Sequence, residues 1–67
     1  MTRVFFHTLK SRKQLKKFSG EKVISAEFTD ETGKFFEISF DVGNNRKQDI
    51  LISFETRTPH VFISDIY

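Results

Sequence analysis

From residue 23 onward, apolar side chains recur at every second position. Ile24, Ala26 and Phe28 alternate with Ser25 and Glu27, and Phe36, Ile38, Phe40 and Val42 alternate with Glu37, Ser39 and Asp41. A period of two predicts strands with one buried and one solvated face. Between these runs lies TDETGK. Asp30 suits the first position of a type I turn and Gly33 the left-handed position of a short loop, so the two strands read as a hairpin. With Asp30 opposite Lys34, the pairs Phe28/Phe36, Ala26/Ile38 and Ile24/Phe40 fall on one face. A slip of one residue would scatter them, which fixes the register. The same register sets Glu27 opposite Glu37, a like-charge pair with a small cost.

Beyond it, GNNRKQ reads as a second turn and DILISFE (49–55) as a strand with Ile50, Ile52 and Phe54 inward. TRTP breaks the ladder, because Pro59 has no N–H to donate. HVFISDIY (60–67) is a last strand of ambiguous facing: Phe62 and Ile66 compete with Val61, Ile63 and Tyr67 for the core. At the other end, RVFFHTL (3–9) is rich in strand formers. Ser11, with Gln14 three residues later, has the spacing of a capping box, and Gly20 is a natural stop. These signals predict a helix of about two turns over 11–18.

The order is therefore β-α-β-β-β-β in a single small domain, residues 1–67. At least ten apolar side chains are expected on the inner face, whereas the helix offers mainly Leu15 and Phe18. Two helical turns span ~12 Å and cannot shield five strands spaced ~4.8 Å apart. The expected fold is mainly β (α+β): a curled antiparallel sheet or small, partly open barrel of about five strands, with one short N-terminal helix plugging an end. A homodimer burying the same face is the rival solution. Phe5, Phe35 and Leu51 are expected on the outer face, either under the helix or as a contact patch.

Composition narrows the chemistry. The chain has 67 residues and no cysteine, which removes disulfides, thiolate metal sites and thiol nucleophiles and suits a reducing compartment. No apolar run approaches the ~20 residues of a membrane span, the N-terminus lacks an apolar leader, and Thr2 excludes N-myristoylation. A cytoplasmic protein with no membrane partner is expected. A single Ala beside abundant Lys, Phe and Ile fits an AT-rich gene, as in phages and mobile elements.

Charge is unevenly placed. Residues 1–22 hold seven cations against one anion, and residues 23–67 hold four cations against eight anions. Five of the cations, Lys10, Arg12, Lys13, Lys16 and Lys17, lie in KSRKQLKKF (10–18). On a helix they occupy the arc opposite Ser11, Leu15 and Phe18. The like-charge pairs Arg12/Lys16 and Lys13/Lys17 cost a few tenths of a kcal/mol each. Something anionic should offset them: phosphates of a nucleic acid, or the acidic strands of the chain itself. Phe5 and Phe35 would serve as stacking platforms if exposed, although FF pairs in strands commonly divide between two packed faces.

Catalysis finds little footing. His7 and His60 have no metal-ligand spacing, a site combining them with Asp65 would need both to converge, and no nucleophile elbow, P-loop or GxGxxG is present. No cofactor and no enzymatic activity are expected. The reading is a non-enzymatic binding protein, an accessory or inhibitor of phage or mobile-element origin that meets another protein, or its own copy, through an apolar face or edge strand. The alternative is a nucleic-acid binder using the basic helix.

Overall fold

The computed structural model of the chain describes residues 4–67; Arg3, with which the first strand was expected to open, lies outside them. The elements are β1 (Phe6–Thr8), α1 (Lys13–Lys16), β2 (Lys22–Phe28), β3 (Phe35–Gly43), β4 (Arg46–Ser53) and β5 (His60–Ser64). All five strands join one antiparallel sheet in the order β1-β5-β4-β3-β2. The last four form a meander, and β1 crosses back to pair with β5, Phe6 opposite Ser64 and His7 opposite Ile63. This is the curled sheet rather than the barrel. β1 and β2 stay at opposite edges, so the ring does not close.

The first hairpin follows the sequence reading over most of its length. Phe28 opposes Phe36, Ala26 opposes Ile38, and Glu27 opposes Glu37. Asp30 organises the loop by accepting the N–H of Phe35 at 3.2 Å and the hydroxyl of Thr32, while Gly33 takes φ 72°. Nearer the start of β2 the expected Ile24/Phe40 pair is replaced. A bulge between Val23 and Ser25 brings Val23 opposite Phe40 and leaves Ile24 as the extra residue. The second hairpin turns through Asn44 and Asn45, both at positive φ (55° and 59°), the two-residue geometry whose twist suits flanking strands.

The helix is shorter than its signals implied, four residues instead of eight. Its ends tighten into i to i+3 bonds: Gln14 N–H to the Ser11 carbonyl and Phe18 N–H to the Leu15 carbonyl, both 3.1 Å. The capping box is nevertheless present. Gln14 Oε1 accepts the N–H groups of Lys10 (2.6 Å) and Ser11 (3.2 Å), and Ser11 Oγ accepts that of Lys13 (3.2 Å). Ser11 is therefore an exposed cap, not a core-facing residue. Gly20, at φ 86°, ends the turn in the left-handed region and releases the chain into β2.

Rather than plugging an end, the helical segment lies on one sheet face. Phe18 stacks on Phe40 with centroids 4.6 Å apart, and these two with Ile50 and Ile63 are the buried core. Leu9, Leu15, Ile38, Val42, Ile52 and Val61 pack around it. The ambiguity of the last strand resolves through a shift of register. Val61 and Ile63 face the helix, opposite Ile52 and Ile50. After Ser64 the pairing slips, so that Tyr67 rather than Ile66 exchanges backbone hydrogen bonds with Lys47 (2.7 and 2.8 Å). Tyr67 thereby turns to the face away from the helix, and Ile66 and Phe18 line one shallow cavity.

Candidate functional site

Three regions have unspent chemistry. The first is the far side of the helix-covered face. Alternation along β2, β3 and β4 lines up Phe28, Phe36, Ile52 and Phe54 in a stripe that α1 does not reach. Phe28 and Phe54 are 54% and 44% exposed, and Phe28 meets Phe36 edge-on at 4.9 Å. The stripe runs out to β2, all seven of whose residues are exposed, including Val23 at 51% and Ile24 at 46%. Thr29 N–H donates to the Phe35 carbonyl at 3.0 Å. By antiparallel alternation the backbone groups of Ala26 and Phe28 then point away from β3 into solvent. An apolar face thus ends in an open edge.

The second region is a cleft of about 400 Å³ between the helical segment and the β1/β5 side of the sheet, lined by His7, Lys10, Gln14, Lys17, Gln48 and Asp65 among others. His7 Nε2 lies 3.1 Å from Asp65 Oδ2, and both side chains are exposed. Gln48, 4% exposed, donates from Nε2 to the Ser64 carbonyl at 2.8 Å. Of the five cations singled out in the sequence, Lys10 and Lys17 come together here. Arg12, Lys13 and Lys16 are exposed outside the cleft. Lys17 Nζ also sits 5.4 Å above the Phe18 ring. Among the described residues no lysine or arginine forms an ion pair, so the acidic strands do not neutralise the basic segment by direct contact.

The third region lies on the opposite face and was not legible in the sequence. Asp49 is 2% exposed, accepts the Tyr67 hydroxyl on Oδ2 at 2.7 Å, and has no partner on Oδ1. Burial, the hydrogen bond to Asp49 and the charges of Asp49 and Glu37 push the Tyr67 phenol up to about 12. Glu37 is raised too, first by partial burial, then by Asp49 and Glu27. The facing signal was hidden because the register slip that delivers Tyr67 follows the last regular pair.

Of Phe5, Phe35 and Leu51, expected together on the outer face, Phe35 and Leu51 lie there and Phe5 does not. Phe35 and Leu51 are half-buried on the face away from the helix, near Phe62, which opposes Leu51. Phe5 precedes β1, where its carbonyl accepts the Asp65 N–H (3.4 Å), and alternation puts it with His7 on the helix side. His60 and His7 sit at different sheet positions, opposite Ser53 and Ile63. No cluster of three metal-ligating residues exists among the described residues, nor any helix long and apolar enough to cross a membrane. Set against known proteins, the chain matches no family model, no curated protein and no solved structure.

Proposed function

We propose that the chain is a non-enzymatic protein-recognition module that adds a partner strand to β2. The observation that carries this reading is the coincidence of the open edge at Ala26 and Phe28 with the uncovered Phe28–Phe36–Ile52–Phe54 stripe. Natural sheets usually guard such an edge with charge, proline or a short strand. β2 has seven residues, no proline, and two charges, Lys22 and Glu27. Its bulge near Val23 leaves the half from Ser25 to Phe28 regular.

A second copy is the occupant whose fit can be worked out. In an antiparallel pairing about a two-fold axis through Ala26, the regular half of β2 sets Ser25 opposite the partner's Glu27, before the bulge at Ile24 interrupts the register. That contact occurs twice, and the two helix-covered faces end on the same side of the joined sheet. The register centred on Glu27 is poorer, because it sets that carboxylate against itself.

Sedimentation equilibrium from about 10 µM to 1 mM spans the affinities expected of a single strand-to-strand contact. The wild type should dimerise over this range, and Ala26→Pro should remain monomeric. The Ala26 N–H faces solvent, so proline there removes no bond within the sheet. A monomeric wild type, or an Ala26→Pro variant that dimerises equally well, overturns the reading.

A further inference from the structure

The unpaired cations and the cleft point to a second, separate site. We infer that the cleft between α1 and the β1/β5 edge binds a phosphate group held between Lys10 and Lys17. Three observations converge. Lys10 and Lys17 both line this one cavity, together with Gln14. Gln14 Oε1 accepts the Lys10 and Ser11 N–H groups, which fixes the strand-to-helix corner that sets Lys10 in place. Neither ammonium has a carboxylate partner among the described residues, so a ligand displaces water rather than an internal ion pair.

Besides the two lysines, the cleft has a fixed polar group and an apolar wall. Gln48 is held by its bond to the Ser64 carbonyl, and Ile63 contributes an apolar wall. Asp65, the one carboxylate in the cleft, lies 3.1 Å from His7 Nε2, a contact that orients the imidazole. A volume of about 400 Å³ accommodates a nucleotide-sized group, so the phosphate can come from a free nucleotide or from a residue within a nucleic-acid strand. The site is distinct from β2, and its ligand does not depend on strand addition.

The test is a ¹H–¹⁵N titration of the intact chain at low salt with inorganic phosphate, adenosine monophosphate and a short single-stranded oligonucleotide. The Gln48 side-chain amide on the cleft floor is a reporter that general charge attraction would not single out. Binding of the mononucleotide should shift it together with the His7 and Lys17 backbone signals. Lys10→Gln combined with Lys17→Gln should weaken binding at least about tenfold. Arg12→Gln with Lys13→Gln and Lys16→Gln removes more charge outside the cleft and should change it by no more than about threefold. Mononucleotide binding at least equal to that of the oligonucleotide identifies a free phosphate ester, and much tighter oligonucleotide binding with the same Gln48 shift identifies a strand. Absence of a Gln48 response to all three probes, or equal loss in the two variants, overturns the inference.

Discussion

Glu37→Gln should make the protein more stable at neutral pH. Glu37 stands on β3 directly opposite Glu27, with the buried Asp49 diagonal to it across β4, and partial burial, Asp49 and Glu27 together raise its carboxyl above the ordinary value of 4.5. Between that value and the raised one, the folded chain keeps a proton that the unfolded chain has released. Stability therefore falls as pH rises through this window and stays lower at pH 7. Burial is the largest cause, with Asp49 ahead of Glu27; a directly opposed pair is worth ~0.2–1 kcal/mol, and the partial exposure of Glu37 keeps the total modest. Removing the charge should yield about 1 kcal/mol, which in a domain of this size raises the melting temperature by about 4–8 °C. Thermal melts followed by circular dichroism at pH 7 and pH 4 measure it directly. The gain should shrink at pH 4, where the wild-type carboxyl is itself largely protonated, and Glu27→Gln should add less in the Glu37→Gln background than alone. A loss of stability at pH 7, or a gain that does not change with pH, would refute the electrostatic account.

Tyr67→Phe should cost about 1–3 kcal/mol in urea unfolding, because it strips the remaining partner from a buried carboxylate. The wild type should also lose stability as pH rises from the unfolded phenol value near 10 toward about 12, since the folded chain holds the phenol proton longer, and the variant should lack that alkaline decline. Phe18→Ala deletes the ring that joins the helical segment to Phe40 and should cost ~3–5 kcal/mol, enough to unfold much of a marginal 67-residue chain at 37 °C as read by near-ultraviolet circular dichroism. Gly20→Ala should cost about 1 kcal/mol or more in the same urea assay. Its Cβ would meet no neighbouring atom, so the cost is that of the left-handed backbone alone.

Local periodicity made the sheet readable. The register of Phe28/Phe36 and Ala26/Ile38, the Asp30–Gly33 loop, the Ser11/Gln14 cap and the stop at Gly20 each rest on residues within a few positions of one another. The shortage of helix was readable too, since Leu15 and Phe18 could not hide ten inward positions. How the shortage is met was not, because curling, closure and pairing satisfy the same alternation. The bulge at Val23–Ser25 and the slip before Tyr67 add a residue without leaving a compositional mark, and so the Ile24/Phe40 pair and the last strand's facing eluded the pattern. The basic segment was visible as charge, but its division depended on where β1 and β5 lie. That placement sends Lys10 and Lys17 into the cleft and leaves Arg12, Lys13 and Lys16 outside.

The proposal that another chain adds to the β2 edge is tested most directly by amide hydrogen exchange at two protein concentrations. In dilute solution Ala26 and Phe28 should exchange fast while Glu27, facing β3, is protected, and at high concentration Ala26 and Phe28 should slow as strands pair. Protection of both amides at every dilution, or fast exchange of both at every concentration, would contradict the account.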